Sequence, residues 1–155
     1  HLVSKRGLNP SYVEMGPDLD GMLSSCDGCL LIGDRALEGA RAHPELVKMD
    51  LGSEWLNVTG HPMVFGVFAA RRDSNVELIK SAYDALISRL EAFENNTDVR
   101  NEVILVSGVK SAQSSERLER YFGEVINRMN SEDMEGLELF LKNACEMEKE
   151  PVMAW

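Results

Sequence analysis

Two short patterns in this sequence place a glycine beside a hydrogen-bonding residue next to an apolar run. Gly33-Asp34 closes the run Cys29–Ile32, and Thr59-Gly60-His61-Pro62 leads into Met63–Ala70. A glycine at such a place lets backbone approach a ligand closely. A helix starting there offers unpaired N–H groups to an anion. A plainer reading stays open for both. Gly33-Asp34 can be a tight turn with Asp34 as helix N-cap, and Gly60 can simply stop a helix ahead of Pro62.

The thiols and imidazoles carry weaker signals. Cys26-Asp27-Gly28-Cys29 is a C-x-x-C, but redox chemistry needs an exposed, low-pKa cysteine at a helix start. Cys29 instead opens an apolar run, where a small buried hydrophobe is expected. Zinc would need two more ligands, and His43, His61 and Cys145 form no second pair. We therefore expect no metal and no functional disulfide here. His1, His43 and His61 share no metal-ligand spacing. His43 reads as a loop residue and His61 as a turn residue before proline, both facing solvent. A Cys–His nucleophilic pair would have to be assembled by the fold.

The elements that would position these residues alternate at first. Strand candidates fall at residues 11–15, 29–32, 46–49 and 63–71, each an apolar or β-prone run bounded by turn residues. Short helices are predicted between them at 17–25, 35–39 and 53–58. After Asp73 the period becomes helical. Ser74-Asn75-Val76-Glu77 has the form of a capping box, and Ile79, Tyr83, Leu86, Leu90 and Phe93 mark one helix face. Further helices are predicted over 98–108, 115–129 and from 131 to about 145. The expected fold class is α/β: an α/β cleft-forming part over 1–72 and a helical C-terminal part over 73–155, together one partial domain.

Composition narrows the function classes. The chain has 155 residues with 44% hydrophobic and 27% charged, ordinary for a globular domain with a core. Its net charge of −10 argues against nucleic acid as a partner. An anionic ligand would need local donors to overcome that field. No apolar run approaches the roughly 18 residues of a membrane span, and no leader pattern is seen, so no membrane association and a cytoplasmic location are expected. The sequence opens on His1 rather than Met, which is expected of a fragment, a processed product or a trimmed chain.

Three segments in order carry a family resemblance. Leu31-Ile32-Gly33-Asp34-Arg35-Ala36-Leu37, then Asp50-Leu51-Gly52-Ser53-Glu54-Trp55, then Thr59-Gly60-His61-Pro62-Met63-Val64-Phe65 resemble the chorismate dehydratases of the futalosine route to menaquinone. Their pattern is L-I-G-D-x-A-L, D-L-G-x-x-W and T-G-x-P-F-V-F, with Met63 here in place of phenylalanine. The resemblance implies a two-lobed, type II periplasmic-binding-protein-like fold. It implies a lyase that dehydrates chorismate to 3-[(1-carboxyvinyl)oxy]benzoate, with no metal or organic cofactor. The ligand is then a small anionic carboxylate, met by Gly33, Asp34, Thr59, Gly60 and Phe65. Family members carry a preceding segment that meets the substrate, so the catalytic residues stay unknown. A missing N-terminal segment or a homodimer partner would complete the cleft, and this chain alone is expected to turn over poorly. Two alternatives remain: a carboxylate-binding, solute-receptor-like lobe without catalysis, and the related dihydroxynaphthoate synthase.

Overall fold

A computed structural model describes residues 1–148 and 152–153. Among these residues the regular structure is entirely helical: α1 (Leu2–Lys5), α2 (Leu19–Ser25), α3 (Gly33–Ala42), a 3-10 turn (Pro44–Leu46), α4 (Leu51–Thr59), α5 (Val76–Asn95), α6 (Thr97–Ser111), α7 (Ser115–Glu124) and α8 (Ser131–Asn143). No strand and no sheet form among them. The expected α/β class, with its periplasmic-binding-protein-like sheet, is thereby overturned.

The reason is physical. An apolar run states a demand for burial, but a strand also needs a second chain segment for its N–H and C=O groups. Single residues of the predicted strands are extended, Ile32 at φ −133° and ψ 163° and Val47 at φ −67° and ψ 113°, while Leu46 lies in the 3-10 turn. Yet from Pro62 to Ala70 no backbone–backbone hydrogen bond forms among the described residues. The side chains stay out with the backbone: Ile32 is 79% exposed and Phe68 89%. Cys29, expected as a buried hydrophobe, is exposed as well.

The helices divide into two compact units. The first takes His1–Val64 together with the described residues from Ser131 onward. Its centre is Trp55 of α4, 1% exposed. The indole meets Phe140 of α8 edge-on, with centroids 5.5 Å apart, and the His1 ring at 6.1 Å. Leu2 of α1 is buried in the same unit. Beside it Arg6 donates to both oxygens of Glu54 on α4, at 2.8 and 2.7 Å. That hydrogen-bonded guanidinium holds the Glu54 carboxyl below the usual range.

The second unit, Phe65–Asn130, packs α5 on α6 and α6 on α7. Ile104 and Leu118 are its buried residues. Phe93 meets Phe122 edge-on at 5.2 Å, and the Arg100 guanidinium sits 4.8 Å from the Phe93 ring centroid. Arg128 reaches back to Glu94 at 2.7 Å. Two local expectations are corrected here. Asn75, not Ser74, caps α5, its Oδ1 accepting from the N–H groups of Glu77 and Leu78. α7 ends at Glu124 instead of 129, because Val125 leaves the helix with extended dihedrals. The adjacent β-branched pair Val125-Ile126 is poorly suited to continuing it.

Candidate functional site

The residues of the three motif segments mostly punctuate helices. Asp50 is the N-cap of α4, its carboxylate accepting the Ser53 N–H at 2.8 Å. Trp55 follows one turn on and fills the core of its unit. At the other end Thr59 Oγ1 donates to the Trp55 carbonyl at 2.7 Å and accepts the His61 N–H at 3.2 Å. Gly60 takes the left-handed conformation at φ 77°, and its N–H reaches the Leu56 carbonyl at 2.8 Å. That conformation is the common glycine ending of a helix. So D-L-G-S-E-W-x-x-x-T-G spells one helix with both of its caps.

Gly33 opens α3 with φ 60°, a conformation that glycine adopts without steric cost. A Cβ there would meet open space, with nothing within 4 Å. The N-cap of α3 is Ile32, which offers no side-chain cap. Asp34 lies in the first turn and does not serve as the expected N-cap. Its charge at that position still favours the positive helix end.

Four of the predicted site residues, Gly33, Asp34, Thr59 and Gly60, belong to the first unit. Among the described residues no hydrogen bond or ion pair joins the first two to the last two. Phe65 begins the second unit and is 79% exposed. A cleft of about 420 Å³ lies between the start of α2 and one side of α3. Leu19 and Leu31 give it apolar surface, and Asp18, Asp20 and Glu38 stand against Arg35 and His43. Arg35 is already engaged by Glu38 at 3.2 Å, and His43 by Glu45 at 3.5 Å. The cleft's carboxylates oppose a dicarboxylate ligand. None of Gly33, Asp34, Thr59 or Gly60 lines it.

Sequence reading passed over one arrangement. His61, read as a solvent-facing turn residue, is only partly exposed, and its Nδ1 lies 3.7 Å from Glu135 Oε2 on α8. The Gly60-His61-Pro62 context marks the turn, whereas nothing local in the sequence singles out Glu135. No cluster of three or more His, Cys, Asp or Glu groups suited to a metal occurs among the described residues. No helix there is long and apolar enough to cross a membrane. No solved structure matches the chain. A family model described as menaquinone biosynthesis matches residues 1–146.

Proposed function

We propose a function from the premise that this chain belongs to the menaquinone biosynthesis family: the protein that carries it is a lyase that dehydrates chorismate to 3-[(1-carboxyvinyl)oxy]benzoate. The observation that carries the reading is the ordered match of three segments, Leu31–Leu37, Asp50–Trp55 and Thr59–Phe65. Membership places the chain in menaquinone biosynthesis, and the particular reaction follows from the resemblance of those segments to chorismate dehydratases.

The chemistry needs little beyond placement. A proton leaves a ring carbon, the ring hydroxyl departs, and the remaining electrons complete an aromatic ring. The large gain on aromatisation leaves the protein to orient the substrate and to stabilise developing charge. Chorismate carries two carboxylates, so its site requires N–H and hydroxyl donors. In this reading the free N–H groups at the start of α3, around Gly33 and Asp34, supply such donors. Thr59, Gly60 and Phe65 complete the candidate set. Thr59 already uses its hydroxyl within the α4 cap, so its part is to fix the turn.

The test is direct. Purified full-length protein is incubated with chorismate, and products are separated chromatographically. The expected outcome is loss of chorismate with formation of the enol-ether benzoate. The 155-residue chain alone is expected to be much slower. A full-length protein that leaves chorismate untouched refutes the reading.

A further inference from the structure

Helix α6 carries more apolar surface than its own unit covers. Val103-Ile104-Leu105-Val106 are apolar residues in a row. Successive residues turn by about 100° around a helix, so such a run wraps most of the circumference and cannot face one neighbour. One side is used inside the unit. α6 packs on α5 and α7, Ile104 is buried, and a Cβ at Gly108, one turn on, would lie 3.6 Å from Leu118 Cδ1 of α7. The other side is bare: Leu105 is 66% exposed, Val106 46% and Val109 81%. Val109 stands one turn from both of the others, so the three form a single patch. Scattered surface apolar residues need no account, but a contiguous patch does.

The patch has a charge at each end. Glu102 lies one turn before Val106 and Lys110 one turn after it, and both are exposed. Neither makes an ion pair or a side-chain hydrogen bond among the described residues. The unit around them is close to neutral, with ten acidic and nine basic residues over Phe65–Asn130. The net charge of −10 therefore resides almost wholly in the rest of the chain. Two second units meeting would not repel one another.

We propose that this face of α6 docks a second copy of the chain, with the two α6 helices antiparallel about a two-fold axis near Val106. The pairing is independent of the reaction assigned above. A two-fold interface needs a surface complementary to itself. An axis at Val106 sets each residue before it opposite the residue equally far after it. Glu102 then faces the partner's Lys110, and Lys110 faces the partner's Glu102. Val106 meets its own counterpart, and each Val109 falls between the partner's Glu102 and the partner's Leu105. A parallel arrangement would set carboxylate against carboxylate and ammonium against ammonium, which is costly. A partner of one charge sign could satisfy only one end of the patch, whereas a second copy satisfies both. One face of a 15-residue helix is smaller than the roughly 1,600 Å² that stable complexes bury. The dimer is therefore a weak one, populated at high protein concentration.

Sedimentation velocity of the full-length protein over a concentration series tests this. Wild type is expected to pass from monomer to dimer as concentration rises. Glu102→Lys and Lys110→Glu each turn both cross-pairs into like charges, so each variant alone should dimerise about 10-fold more weakly. Mixed one to one, the two variants should pair with each other at least as tightly as wild type does, because both cross-pairs are then opposite in sign. Leu105→Lys puts a charge inside the patch, on a residue already exposed. It should abolish the dimer while circular dichroism shows the helices intact. A wild type that stays monomeric up to its limit of solubility overturns the proposal. So does a dimer whose strength none of these substitutions changes, or a mixture as weak as its two components.

Discussion

Replacing Gly136 with alanine probes the contact between the Gly60–Pro62 turn and α8. In an exposed helix, Gly→Ala stabilises by about 1 kcal/mol. Here the new methyl would collide with the Pro62 carbonyl oxygen. Overpacking costs about 1–3 kcal/mol. The upper half of that range applies, because the opposing atom is backbone in a turn fixed by Thr59 and proline. The net expectation is a loss of about 1–2 kcal/mol. Gly39→Ala in α3 supplies the comparison in the same unit. Its methyl would lie 3.4 Å from Leu19 Cδ2 and 3.7 Å from Leu31 Cδ1, ordinary contacts, so a gain of up to about 1 kcal/mol is expected. The two variants should differ by about 1–3 kcal/mol in urea denaturation followed by circular dichroism, with the denaturant slope unchanged. A Gly136→Ala protein as stable as wild type would show that the turn does not rest on α8 as described.

Two further perturbations address single features. Gly33 has φ 60° with open space around its missing side chain, so Gly33→Val should lower the melting temperature through backbone strain, while Gly33→Asn, which tolerates that conformation, should lie close to wild type. Equal melting temperatures for the two would refute the conformational account. The Glu94 carboxyl is held below its usual range by the hydrogen-bonded Arg128, so its stabilising contribution is present above the ordinary glutamate range, about 4.3, and is lost as pH falls through the lowered value. Arg128→Ala should therefore be less stable than wild type near neutrality, with the difference vanishing in strong acid and shrinking in high salt; a difference that grows on acidification would contradict the pairing.

What could be read from the sequence depended on how local the determining physics is. Gly60 ends α4 as expected because such a cap needs only a left-handed glycine a few residues away, whereas Asp50, the N-cap that starts the helix two residues ahead of the predicted 53, was passed over. The helical period after Asp73 likewise yields α5, although Tyr83 and Leu86 on its expected apolar face remain exposed. Choosing Asn75 over Ser74 as the α5 cap was a shift of one position between two competent cap residues. The strands failed for the opposite reason. Met63–Ala70 has the composition of a buried strand, but pairing depends on a distant segment, and none of the described residues supplies one. The candidate site divides the same way. Gly33 and Gly60 were visible as glycines with a conformational task, and both have positive φ. Glu135 could not be linked to His61 without the contact between α4's end and α8.

The first unit also has a consequence for the order of events during synthesis. Trp55 and His61 lie in the chain's first half, but their partners Phe140 and Glu135 emerge only after all of α5, α6 and α7. The contacts of those three helices are mostly between sequence neighbours, which form early and fast. The second unit is therefore expected to condense on the ribosome while Trp55 still waits for its cover. Its folding would also draw the ends of the intervening segment closer, lowering the loop-closure entropy that α8 must overcome to dock. Until then the indole is open to solvent, an interval in which a chaperone, or another nascent chain, competes with α8 for the same surface.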